Sequence, residues 1–125
     1  MRVREDTGSA TLWSLVLITV LLTAGCLAMA VAQVALARQR LSSAADLAVL
    51  AAAQQPSQGC ARAAHIAQAN GVDLTACWFD GMDHWVEVRL PPPTLLVRIA
   101  AVVGARADDL RVTSRAGPDL PPAMP

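Results

Sequence analysis

The chain has 125 residues with ten bases, all arginine, and ten acids, so its net charge is zero. The arginines are scattered and form no patch, which leaves no electrostatic case for nucleic acid or an acidic membrane surface as partner. At 125 residues, less its apolar N-terminal run, the chain leaves room for one small domain with a thin core, the kind that often needs a staple.

Ala10 to Ala37 contains no charged side chain, and Arg4, Glu5 and Asp6 precede it while Arg38 and Arg40 come after. A membrane-spanning helix needs about 20 predominantly apolar residues at ~1.5 Å rise to cross a hydrocarbon layer of ~30 Å, and this run is longer. Its polar members are Thr11, Ser14, Thr19, Thr23 and Gln33; hydroxyls can bond back to helix carbonyls and so enter lipid at little cost. The remainder of the chain is too small and polar to wrap a helix apolar on all sides. Trp13 stands near the start of the run, where an indole ring anchors at headgroup level. Orientation does not follow from the arginines, since two stand on each side of the run.

Three processing readings stand side by side. In the first, a signal anchor is uncleaved or cut before the apolar run, between Gly8 and Ser9. In the second, Ala28-Met29-Ala30 or Ala30-Val31-Ala32 serves as a small-x-small cleavage site, although the run exceeds the ~7–15 apolar residues of a signal peptide. In the third, Leu22 to Cys26 acts as a loose lipobox; Thr23 and the apolar residues beyond Cys26 depart from that pattern, and a small apolar helix residue is the simpler account of Cys26.

No helix breaker appears between Ala37 and Pro56. Leu41, Ala45, Ala48 and Ala52 recur at helical spacing, and Arg40, Ser43 and Asp46 lie off that stripe. A single helix from Ala10 to Ala53 would span roughly 66 Å, about twice the membrane core. Its outer half offers a small-residue face, with Ala44, Ala45, Ala48 and Ala52, to another helix or to the domain beyond it.

Gly8-Ser9-Ala10-Thr11-Leu12-Trp13, Ala37-Arg38-Gln39-Arg40-Leu41 and Ala44-Ala45-Asp46-Leu47-Ala48 together resemble the TadE/TadG-like proteins of tight-adherence (Flp) pilus and type II/IV-like secretion systems. The short length and the Cys60–Cys77 spacing are most similar to small actinobacterial TadE-like members. The resemblance covers Gly8 to Ala53. It implies a cytoplasmic N-terminus, an exported C-terminal part, and partners among pilin-like or secretion-system subunits met through the N-terminal helix. The chain departs from the pilin-type members at one position: counting Ser9 as first, Trp13 stands where they carry glutamate.

In the C-terminal part, Gln54 to Gly59 reads as a turn and Cys60 to Asn70 as a short helix with Ala63, Ile66 and Ala67 on its apolar side. Asn70-Gly71 is a helix stop, because both residues tolerate the left-handed conformation. Leu74–Phe79 and His84–Leu90 read as strands joined by the four residues Asp80 to Asp83. Trp78 and Trp85 are expected to dominate the core. After Pro91-Pro92-Pro93, Thr94 to Val103 reads as a helix capped by Thr94 and ended by Gly104. Leu110–Ser114 reads as a third strand, and the proline-rich tail from Gly117 as disordered.

Cys60 and Cys77 are placed to close a loop of about 18 residues by a disulfide, worth up to ~3 kcal/mol in the chain-entropy model. A thin-cored exported domain is where such a bond is expected, and it would put the domain outside the cytoplasm. Free thiols and a zinc site with His65 and His84 are the alternatives; the x4 and x6 spacings do not match the usual short ligand pairs. Ser42, His65 and Asp73 could be written as a triad, but nothing brings them together, and no phosphate loop or nucleophile elbow occurs. Asp80, Asp83, Asp108 and Asp109 lack calcium-loop spacing and read as turn residues.

The sequence thus describes an α+β protein without catalytic residues, metal or cofactor: a long N-terminal transmembrane helix continuing into a small pilin-like domain with a short antiparallel sheet. The segments are 1–9 cytoplasmic, 10–37 transmembrane, 38–55 an exported helical extension, 56–116 the disulfide-stapled domain and 117–125 the tail. The function expected is that of a single-span membrane protein, a minor component of a tight-adherence-type pilus or secretion assembly. The alternative is a small secreted or lipid-anchored protein released by cleavage.

Overall fold

The computed structural model describes residues 8–118. Residues 1–7 of the expected cytoplasmic segment (1–9) and 119–125 of the expected disordered tail (117–125) lie outside the described residues. The elements run in order α1 (Ser9–Gln54), a 3-10 turn (Pro56–Gln58), α2 (Gly59–Ala69), β1 (Asp73–Asp80), β2 (Asp83–Leu90), α3 (Thr94–Val102) and β3 (Leu110–Ala116). The chain divides after Gln33 into two compact units.

In the first unit, α1 is apolar on all sides and its large side chains, among them Leu12, Trp13, Val16 and Leu21, are exposed. The hydroxyls of Ser14, Thr19 and Thr23 are satisfied within the helix. Ser14 donates to the Ala10 carbonyl at 2.9 Å, Thr19 to Leu15 at 2.8 Å, and Thr23 to Thr19 and Val20 at 2.9 Å each. Such back-bonding leaves these hydroxyls without need of water.

In the second unit, the rest of α1 packs as an ordinary amphipathic helix. Leu41, Ala44, Ala45, Ala48, Val49 and Ala52 are buried, the i, i+3, i+4, i+7 pattern of a core-facing stripe. They share one core with Ala63 and Ala67 of α2, Val72, and Val86 and Val88 of the central strand β2. The small-residue face therefore goes to the chain's own domain, and it is not free for a partner helix. Ser114 of β3 closes the same contact from the side by donating to Asp46 Oδ1 at 2.7 Å.

The sheet is antiparallel in the order β1-β2-β3. Its hairpin is tighter than the expected four-residue loop. Asp80 pairs with Asp83, leaving Gly81 and Met82 as the turn, with Gly81 at φ +65°. Glycine with positive φ at the first central position is the two-residue II′ arrangement, whose twist suits the flanking strands. A bulge lies between Leu74 and Ala76 of β1. Thr75 there donates to the Glu87 carbonyl at 3.2 Å and to Glu87 Oε1 at 2.8 Å.

The tryptophans do not build the core. Alternation along β2 points His84, Val86 and Val88 inward, where they are buried, and places Trp85 on the other face. Trp78 pairs with Trp85 across the hairpin; the rings stack 5.9 Å apart, nearly parallel, and Trp78 is exposed. Arg115 lies 5.8 Å from the Trp85 ring centre, within cation–π range.

Helix ends obey local chemistry. The Val72 amide donates to the Ala67 carbonyl and Gly71 to Gln68, at 3.1 and 3.0 Å. With Gly71 at φ +70° and Val72 buried, this is the Schellman stop with its apolar contact. Ala105 and Gly104 bond Ala100 and Ala101 in the same pattern at the end of α3. Thr94 is not the cap of α3. Pro93 holds that place without a side-chain bond, its carbonyl accepting from Val97 at 3.1 Å.

Cys60 and Cys77 are joined by a disulfide with their Cα atoms 5.7 Å apart, tying the first turn of α2 to the middle of β1. Beside it, Gly59 makes close approach possible: a Cβ there would stand 2.9 Å from the Ala52 carbonyl oxygen. Two outcomes are expected for the full chain in detergent. Ala48→Leu should overpack the core and cost about 1–3 kcal/mol, read as a lower Tm, while Leu47→Ala on the exposed side stays within ~0.5 kcal/mol. Replacing Cys60 and Cys77 together by serine should cost roughly 3 kcal/mol in urea unfolding, matched by the reduced wild type.

Candidate functional site

The surface that distinguishes this chain is a helix, not a cleft. Along α1, an 18-residue apolar window has 6% of its residues buried. By length and composition this helix is able to cross a membrane. A contiguous apolar surface of this extent marks an interaction with lipid or protein. Gly8 and Ser9, the positions of possible processing, stand at its start: Ser9 is the first helical residue, and the Gly8 carbonyl accepts from Thr11 at 3.1 Å. Both residues are exposed. Cys26 is exposed and unpaired within the helix.

Among the described residues, the second unit brings no reactive set together. Cys60 and Cys77 spend their sulfurs on each other, which removes them as ligands beside His65 and His84. His65 lines a shallow hollow with Ala51, Gln54 and Ala61. His84 is buried on the inner face of the sheet, its ring 4.8 Å from that of Phe79. Ser42 lines a different hollow, with Val34 and Arg38. Asp73 meets Arg89 at 3.3 Å on the outer face of the sheet. The three members of the paper triad thus belong to three separate places.

The outer face of the sheet is a charge-matched lattice around the tryptophan pair. Arg89 lies 3.3 Å from Asp73 and 3.4 Å from Asp109; Arg111 lies 3.5 Å from Glu87, and Arg115 lies 2.8 Å from Asp83. Two of the aspartates that could suggest calcium, Asp83 and Asp109, are taken by arginines. Pairs this exposed contribute little stability, ~0–1 kcal/mol each, and they leave the face close to neutral. The bulge at Thr75 shifts the alternation of β1 beyond it, which conceals in the sequence pattern that Asp73 meets Arg89.

No curated protein and no solved structure matches the chain. One family model does, and its limits coincide with the geometry. The match covers residues 8–55, from the glycine before α1 to the residue after it, and leaves out the sheet. The family is described as "Putative Flp pilus-assembly TadE/G-like", and α1, with its apolar run and its core-packed continuation, is the part of the chain that is similar to it.

Proposed function

We propose that the protein is a non-enzymatic, single-pass membrane component of a tight-adherence-type pilus or related secretion assembly, with its N-terminus in the cytoplasm and its disulfide-stapled domain exported. The observation that carries this reading is the coincidence of the TadE/G-like match with an exposed apolar helix whose hydroxyls from Thr11 to Thr23 are internally bonded. An apolar surface with no need of water is what a lipid environment demands. The disulfide supports the orientation, since such bonds persist in oxidising compartments. In this reading, residues 10–37 are the span, 38–55 the helical extension and 56–116 the outer domain.

Partner subunits meet α1 away from its buried alanines. Leu47 and Leu50 are each about half exposed, at 51% and 53%, on the side turned away from the core. With the apolar run they form the surface left for neighbouring pilin-like helices.

The test is the intact mass of the protein from separated membrane and medium, with thiol alkylation before and after reduction. The expected species is membrane-held, begins at Met1 or Ser9, and alkylates at Cys60 and Cys77 only after reduction. A soluble species beginning near Val31 or Gln33, or a lipid-modified Cys26, would sink this reading and establish a released or lipid-anchored protein. On intact cells or spheroplasts, an impermeant maleimide applied after reduction should label the two cysteines from outside; labelling only after lysis would reverse the orientation.

A further inference from the structure

From the composition and placement of α3, we infer that this helix lies in the membrane interface and seats the outer domain on the bilayer; the inference rests on the membrane-span reading above. The sequence of α3, TLLVRIAAV, has Thr94 and Arg98 as its only polar residues. Only Ala100 of the helix is buried. Val97 is exposed, and Val102 and the adjoining Val103 are among the most exposed apolar residues of the unit, at 87% and 71%. A helix that is apolar nearly all round and covered on one side alone requires a second apolar medium.

The position of α3 identifies that medium. It joins the end of β2 to the start of β3, and Leu90 pairs with Leu110 there. That end of the sheet lies against the first residues of the unit: Leu96 and Leu110 line one cleft with Val34, Arg38 and Leu41. The opposite end is distant, because Met82 and His84 at the hairpin line a hollow with Leu50, Ala53 and Pro56. The helix α3 is thus held where the charge-free run gives way to Arg38 and Arg40. In the span reading this is the level of the lipid headgroups. The hairpin lies at the other end of β2, about 24 Å along the strand from Leu90 at ~3.4 Å rise per residue.

The charged groups around α3 suit this level. Arg98 and Arg106 are exposed and Arg38 and Arg111 line the cleft with Asp108 and Asp109; Asp109 is paired with Arg89. Arginine stems lie along apolar surface while their heads reach the phosphates. Burying the valine side of a short amphipathic helix some ~5–10 Å into the headgroup and acyl boundary is the usual interfacial arrangement. Attraction here is apolar, so it does not need anionic lipid.

The full chain is reconstituted in phosphatidylcholine vesicles carrying doxyl groups at a shallow or a deep acyl position. Three proteins each bear one environment-sensitive thiol label, the Cys60–Cys77 disulfide staying intact: the native chain at Cys26, Cys26→Ala with Val102→Cys, and Cys26→Ala with Met82→Cys. Expected are quenching of the Cys26 label by the deep doxyl, about twofold or greater quenching of the residue-102 label by the shallow one, and none at residue 82. A quenched Cys26 label with residue 102 unquenched would overturn the interfacial docking and leave the span standing. An unquenched Cys26 label would overturn the span and the docking together. A residue-102 label shielded from aqueous iodide yet unquenched by lipid would assign α3 to a second copy or another protein, and would also overturn the inference.

Discussion

Everything in the second unit depends on how closely α1 approaches the sheet. Leu41, Ala44, Ala45, Ala48 and Ala52 are at or near zero exposure, and they face Val86 and Val88 of the central strand. Alanine carries one methyl group, so a core built from this stripe and two valines is thin. A thin core buries little apolar area, at about 25 cal/mol per Å². This explains why the domain recruits a second source of stability in the Cys60–Cys77 bond, and why Gly59 stands where no Cβ fits against Ala52. The same closeness decides the fate of the alanine stripe. Small residues serve helix–helix contacts in lipid, but here their surface is already occupied by the chain's own core, and the larger residues Leu47 and Leu50 are the ones left exposed on this part of α1.

Much of this architecture is legible in the sequence because local signals agree with the fold. The absence of charge from Ala10 to Ala37, the periodic stripe at Leu41 to Ala52 and the Asn70-Gly71 stop each depend on neighbours within a turn or two of helix. The order of elements and the antiparallel sheet come from the same local patterns. The features that sequence alone misplaces depend on contacts across the chain. Trp78 and Trp85 look like core residues by size, yet the parity of β2 is set by Val86 and Val88, and an inward valine forces its neighbour outward. The bulge at Thr75 lies on the far side of the tryptophan pair from the turn, so it leaves Trp78 and Trp85 in register and displaces only Leu74 and Asp73. The hairpin reads as a four-residue loop because its aspartates look like turn residues; Asp80 and Asp83 instead pair as the last rung.

The candidate site is legible to a different degree. A membrane-competent helix is a property of composition, and no tertiary contact is needed to see it. The helix and the TadE/G-like match describe the same segment, residues 8–55, while the disulfide is a separate observation drawn from cysteine chemistry. The interfacial character of α3 is not legible. Thr94 to Val103 reads as a short helix, and only the folded domain shows that Val102 is left uncovered.

The connection between β2 and β3 is where the physics of the fold meets its setting. Adjacent antiparallel strands are most simply joined by a tight turn, as β1 and β2 are. The chain instead runs through residues 91–109 to make the second connection, through three prolines, an apolar helix and a glycine-ended turn. A longer loop adds little closure entropy, since each doubling costs only ~0.6 kcal/mol. The larger penalty is the exposed apolar surface of Val97, Val102 and Val103, which a water-facing loop has no reason to carry. Long ordered connections in compact domains tend to hold function. An apolar connection at the end of the sheet beside Val34 and Arg38 gains something only if that end does not face water alone, which is the physical ground for the interfacial placement proposed for α3.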